Sequence, residues 1–149
     1  MIRSLFLLFF FCSLSAQAQV QWMSFSQLDS LQEIESRPIL VFLEADWCTY
    51  CKKMKSEAFS KSDISDLVRS QFWAVKLDIE DTSTIHFDGL EFMNDDQRKY
   101  HSLSYLFAVR GAEPITPTLA ILDSDFQFQV FETKYLSRKA LKNLLSRSY

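Results

Sequence analysis

An α/β layer structure is what this chain of 149 residues predicts, and two observations carry it. Three short apolar runs read as buried strands, and the segments around them repeat apolar residues at helical spacing. Their order is helix, strand, helix, helix, strand, an interposed stretch, two adjacent strands and a last helix, which describes one sheet with helices packed on it.

Phe25, Leu28, Leu31 and Ile34 recur at helical spacing, and Ser24 or Ser26 serves as the cap. Arg37-Pro38 ends that helix, because a residue before proline is pushed out of the helical region. Pro38 to Leu43 follows as the first buried strand. Lys52 to Ala58 has helical composition, and Ser60 to Ser70 is a further short helix with Ile64, Leu67 and Val68 on one face. Phe72 to Asp78 is the second core strand. Ile85 to Phe92 is a hairpin, since Asp88-Gly89 suits a type I′ turn. Asn94 followed by Gln97 resembles a capping box opening a helix through Tyr100, Leu103, Leu106 and Phe107, which Gly111 can terminate. Thr116 to Asp123 is a proline-led strand, and Asp123-Ser124-Asp125 turns it into an antiparallel neighbour at Phe126 to Thr133. Ser137 caps the last helix, with Leu141, Leu144 and Leu145 facing the core and Leu136 and Leu141 at staple positions.

The ends and the composition narrow the function classes. Residues 1–18 read as a signal peptide: a basic start at Arg3, an apolar run from Ser4 to Leu14, and the small-x-small site Ala16-Gln17-Ala18. The run is short for a membrane span, so an uncleaved anchor is the alternative set aside. Cleavage leaves residues 19–149 as one domain and removes Cys12, so Cys48 and Cys51 are the only cysteines left. An exported protein that depends on disulfides for stability carries more cysteines at wider spacing, so one close pair points to a working disulfide. The formal net charge of −3 becomes one unit more negative without Arg3, and there is no basic cluster, which argues against nucleic acid as a partner. With 2 glycines, phosphate-cradling loops are missing as well.

The chemistry concentrates in Glu44-Ala45-Asp46-Trp47-Cys48-Thr49-Tyr50-Cys51-Lys52-Lys53-Met54, where a strand hands over to a helix. Cys48 falls at the helix N-terminus, where free N–H groups and the macrodipole favour a thiolate. Cys51 lies one turn along, within reach of a mixed disulfide formed by Cys48. A half zinc site is the rival reading. It would need His86 and His101, which have fourteen residues between them, unlike a finger's close histidine pair. A copper-handling site has no better support, and a purely structural disulfide would close too small a loop to contribute much chain entropy. His86 alternates with apolar neighbours and is expected to face solvent, and His101 is expected on a helix surface. Trp73 and most phenylalanines are expected in the core. Lys52, Lys53 and Lys55 either raise the local potential and depress the Cys48 pKa or form a solvated helix face.

Three separated pieces, in order, resemble the thioredoxin-like superfamily across nearly the whole mature chain. They are the strand with Trp47-Cys48-Thr49-Tyr50-Cys51, the strand with Val75-Lys76-Leu77-Asp78, and Ile115-Thr116-Pro117-Thr118 ahead of two paired strands. The likeness is closest to small exported members and to the C-terminal domain of the transmembrane disulfide reductase. It implies a central mixed β-sheet flanked by helices, to which this chain adds a hairpin-plus-helix insert at about 81–113 before the cis-proline strand. It also implies that Cys48 attacks, Cys51 resolves, and Pro117 is a cis-proline facing the disulfide. Thr116 would then offer its backbone to an extended substrate, and Trp47 and Tyr50 would border the site as apolar surface. No cofactor and no metal is implied.

The chain departs from thioredoxins at three places. Their buried acid, six residues before the attacking cysteine, is here Phe42. Lys76 matches the lysine that neighbours that acid, and Glu44 shares a strand face with Phe42, so Glu44 or a water is left to move a proton for Cys51. The intervening dipeptide is Thr49-Tyr50, neither the Gly-Pro of thioredoxins nor the histidine-containing pair of oxidants and isomerases. The insert either covers one side of the site or binds a partner. The expectation is an exported, periplasmic or secreted thiol–disulfide oxidoreductase that reduces disulfide-containing exported proteins and draws electrons from a membrane donor. A non-catalytic binding module using the insert is the alternative.

Overall fold

The computed structural model describes residues 19–95 and 97–149; the expected signal peptide, with Cys12, lies outside them. A four-stranded sheet is built on β1 (Ile39–Glu44), all six of whose residues are buried. On one side β1 pairs in parallel with β2 (Trp73–Asp78), from Ile39↔Trp73 to Glu44↔Asp78. On the other it pairs antiparallel with β5 (Thr118–Leu122), which carries β6 (Phe128–Glu132) as the antiparallel edge. The order is therefore β2-β1-β5-β6, a mixed sheet. A β strand with neighbours on both edges and helices around it must be apolar throughout, as Ile39-Leu40-Val41-Phe42-Leu43 is.

The helices begin where local chemistry starts them. In α1 (Phe25–Ile34), Ser24 is the cap and completes a capping box with Gln27, while Phe25 and Leu28 go inward. Ile34 is 82% exposed, so that apolar position does not face the core. The parallel β1–β2 connection runs through α2 (Thr49–Met54), a π turn at Lys55–Phe59, and α3 (Ser62–Gln71). The Ser60 N–H closes the π turn on the Lys55 carbonyl at 3.0 Å. α3 buries Ile64 and Val68 and packs on α4 (Arg138–Leu145). Asp63 ties the two helices by ion pairs to Arg138 at 2.8 Å and Lys142 at 3.0 Å. Ser137 caps α4, with Leu141, Leu144 and Leu145 buried.

The expected hairpin is present as β3 (Ile85–Phe87) and β4 (Leu90–Phe92), with Asp88 at φ 51° and Gly89 at φ 69°, the two positive values a type I′ turn requires. It docks on α1. The Asp88 N–H donates to the Asp29 carboxylate at 3.1 Å, and the Phe87 ring meets Phe25 edge-on at 5.2 Å.

Three expectations fail beyond this hairpin and around it. Asn94 opens no helix: the Asp95 carboxylate takes the Gln97 N–H at 2.9 Å and the Ser102 hydroxyl takes the Met93 N–H at 3.1 Å, so side chains hold this backbone in turns. A 3₁₀ helix forms later, at Ser102–Phe107, capped by His101, and it ends before Gly111, which sits in a separate turn at φ 79°. His101 is fully buried rather than on a helix surface. Its Nδ1 accepts from the Leu103 N–H at 3.2 Å and its Nε2 lies 3.0 Å from the Ser83 carbonyl oxygen. A backbone N–H can only donate and a carbonyl only accept, so this is the Nε2–H tautomer, with both ring nitrogens committed. Trp73 is only half buried, because its Nε1–H reaches the Glu35 carbonyl at 3.0 Å and Arg37 stacks over its ring at 4.4 Å.

Phe42 is fully buried and meets Trp22 at 5.8 Å and Phe59 at 5.0 Å between ring centroids, joining β1 to the π turn and the N-terminal segment. Phe42→Ala should lower unfolding stability by about 3–5 kcal/mol in urea titration. A loss under about 1 kcal/mol would mean that this cluster does not hold the helices to the sheet.

Candidate active site at the Cys48–Cys51 disulfide

β1 ends at Glu44, and four residues later Cys48 caps α2. Its carbonyl accepts the Lys52 N–H at 3.1 Å and its own N–H donates to the Ala45 carbonyl at 3.0 Å, so the turn is held from both ends. Cys48 and Cys51 form a disulfide with Cα atoms 5.2 Å apart. The Cys51 N–H points at Cys48 Sγ, 3.1 Å away, so a thiolate on Cys48 would inherit a preformed donor. Both cysteines are buried, Cys48 at 4% exposure and Cys51 at none, so Cys48 is the one nearer the surface. A close cysteine pair in this setting is the active-site arrangement of a thiol–disulfide oxidoreductase.

Two exposed aromatic side chains flank the pair. Trp47 is 56% exposed and its Nε1–H donates to Glu80 at 3.0 Å. Tyr50 is 60% exposed and tilts against Tyr135 at 5.9 Å. Tyr135 is itself fixed, donating to Glu57 at 2.9 Å beneath Lys53, whose Nζ lies 5.1 Å from the ring centroid. Glu80 and Tyr135 carry no periodic signal, since both lie in irregular chain, and sequence reasoning passed over them. The Thr116–Pro117 bond is cis. The pairing Leu43↔Thr118 sets Pro117 beside the carboxyl end of β1, the end from which the cysteine loop departs. Pro117 is buried, and Thr116 Oγ1 is a buried hydroxyl oxygen with no hydrogen-bond partner among the described residues.

Phe42 fills with aromatic packing the place where thioredoxins carry an acid, while Glu44 is buried two residues on. Glu44 sits between two ammonium groups. Oε1 accepts from Lys76 at 2.9 Å, and Oε2 pairs with Lys55. Lys55 therefore parts from Lys52 and Lys53: it is half buried and paired, whereas they are exposed. Burial pushes the Glu44 carboxyl up, but the Lys55 and Lys76 ammonium groups beside it outweigh that and hold the group below its ordinary value. Asp78, opposite Glu44 in the register, moves the other way. Burial raises it against the restraining Glu80 N–H, and the charges of Asp46, Glu80 and Glu44 add to the rise.

Residues 22–124, more than half of the chain, match the profile of a family described as Thioredoxin-like. A search of the curated proteins returns no significant match. Among solved structures, a DsbH oxidoreductase aligns with a TM-score of 0.62 at 17% identity, covering 87% of this chain and 84% of its own. A thioredoxin from Thermus thermophilus aligns at 0.61 and 19% identity, covering 85% of each chain. The C-terminal domain of Neisseria meningitidis DsbD, in the reduced form, aligns at 0.52 and 14% identity, covering 84% and 96%. At such identities the likeness is one of fold.

Glu44 and Asp78 should pull stability in opposite directions with pH. The depressed Glu44 contributes stability above the ordinary carboxylate range and loses it as pH falls through its folded value. The raised Asp78 favours folding in acid and loses that contribution as pH rises through its folded value. Glu44→Gln should thus be less stable than wild type at neutral pH, on the order of 1 kcal/mol given its half-exposed lysine partners, with the deficit closing in acid. Asp78→Asn should be more stable at neutral pH, with the gain closing in acid. Urea denaturation across pH would reveal both, and parallel curves for either variant would refute the assignment.

Proposed function

Because the chain belongs to the Thioredoxin-like family, we propose that it works as an exported thiol–disulfide oxidoreductase that reduces disulfides in other exported proteins. The observation that carries the proposal is the Cys48–Cys51 disulfide at the start of α2, with the more exposed sulfur on the capping residue. In the reduced protein the Cys48 thiolate attacks a substrate sulfur. A Cys48–substrate bond forms, the substrate disulfide breaks, and the released substrate thiolate takes a proton. The Cys51 thiol gives up its proton, and its thiolate attacks Cys48 Sγ. The Cys48–Cys51 bond forms and the second substrate thiolate leaves and is protonated. Two electrons have passed from the cysteine pair to the substrate, with one proton from Cys51 and one from the water that took the Cys48 proton.

In this reading Trp47 and Tyr50 offer apolar contact to the substrate, and Thr116 and Pro117 line up an extended segment of it by main-chain hydrogen bonds. Glu44 and Lys76 support the site from below the helix. The reducing direction is supported by Thr49-Tyr50 between the cysteines, which has no histidine to stabilise a Cys48 thiolate. Asp46, two residues before Cys48, adds a negative charge that acts against that thiolate as well. A reductase in an oxidising compartment needs a supply of electrons, so a membrane-linked donor belongs to the proposal. Residues 1–18 serve as the leader and 19–149 as the working domain, with the stretch 81–113 as a family-atypical insert.

Insulin reduction should be measurable for wild type and fall to background for Cys48→Ser; equal, near-background rates would defeat the catalytic reading. The couple, equilibrated against defined thiol buffers, should have a potential near about −270 mV, and one near about −120 mV would reverse the direction of electron flow. Intact mass of the exported protein should begin at Gln19, and retention of residues 1–18 would contradict the leader.

A further inference from the structure

Cys51, Met54, Ala58 and Phe59 form the core-facing side of the segment after Cys48, and Lys55 lies among them. The Lys55 side chain is half-buried along this face, and its ammonium is held by an ion pair. Glu44, 7% exposed, receives Lys55 on one oxygen and Lys76 on the other. With one carboxylate between two ammonium groups, the cluster carries a net positive charge. Lys55 is four residues beyond Cys51, the spacing that makes side chains on a helix neighbours. Lys55 therefore shares the Cys51 side of the segment, whereas Lys52 and Lys53 are exposed.

We infer that Lys55 is a positioning residue for the resolving step: anchored by Glu44, its ammonium favours the Cys51 thiolate over the thiol. The inference rests on the disulfide-exchange reading above and concerns one step of it. When the Cys51 Sγ–H gives its proton to the released substrate thiolate through water, the negative charge left on Cys51 is met by Lys55. Lys55 keeps its own proton throughout, and Glu44, already ionised between two cations, acts as the anchor. Other charges face the cluster. Asp78 lies across from Glu44 on β2, with Asp46 and Glu80 nearby, and these acids oppose a thiolate. On the helix, Lys52 and Lys53 are exposed, and Glu57 is engaged by Tyr135. Lys55 thus offsets an acidic rim for the one sulfur that must ionise inside the protein.

Carbon NMR of the cysteine Cβ atoms, followed through a pH titration of the reduced full chain, reads Cys51 separately from Cys48 and without substrate. Lys55→Gln should lower the Cys51 thiolate fraction at fixed pH about tenfold, and Glu44→Gln should raise it by a similar factor. The double variant restores the net charge of the cluster and should return within about threefold of wild type. Lys55→Arg should stay near wild type, and Lys76→Gln, on β2, should have a smaller effect than Lys55→Gln. If Lys55→Gln leaves the Cys51 fraction within about twofold of wild type, or moves it in the same direction as Glu44→Gln, the inference is overturned. Should Glu44→Gln fail to fold, the contrast between Lys55→Gln and Lys55→Arg decides alone. Insulin reduction by the wild type tests the exchange reading independently, since the titration needs no turnover.

Discussion

Everything near the cysteines depends on the burial of β1. A strand with a parallel neighbour on one edge and an antiparallel one on the other has its backbone groups satisfied by pairing, so six consecutive residues can leave water together. The parallel side demands a long crossover, and α2, the π turn and α3 are that crossover. The antiparallel side brings the chain back so that Thr116 and Pro117 arrive beside the point where β1 ends. The cysteine turn and the cis-proline turn are thus neighbours because two different pairings share one strand. The last residue of that strand is the exception to its apolar rule, and two lysines from two elements converge on it.

The two sulfurs inherit different surroundings from this arrangement. Cys48 sits where backbone donors end and the rim begins, with Trp47 leaning to Glu80 and Tyr50 to Tyr135. Cys51 faces inward with Met54, Ala58 and Phe59 and has no exposed surface. Cys48 is the less buried of the two residues, and the proposed division between an attacking and a resolving thiol rests on that difference.

What could be read in advance was whatever depends on near neighbours in sequence. Ser24 with Gln27, Ser137, and Asp88-Gly89 each act over three or four residues, and each forms as expected. The core strands were legible because a doubly flanked strand has to be apolar along its length. Asn94 and Gln97 show the limit of that locality: their spacing fits a cap, but Asp95 and Ser102 offer the backbone other partners and no helix follows. His101 was misjudged because, although its Leu103 partner is local, the Ser83 carbonyl that holds the other ring nitrogen lies in a separate loop that only the assembled fold brings to it. Lys55 carried a usable signal. It falls in step with Cys51, Met54 and Phe59, and a lysine at such a position calls for a buried acid, which Glu44 supplies.

The first described residues are tied into the fold at two places. Val20 is 4% exposed, and its N–H is bonded to the Phe59 carbonyl at 3.2 Å; three residues on, Met23 bridges to Val75 at the edge of β2. The Met23 N–H adds a bond to the Ala74 carbonyl at 2.9 Å. The segment before α1 is therefore a clasp between the crossover and the sheet edge, and a chain shortened past Met23 would lose its hold on the π turn and on β2 together.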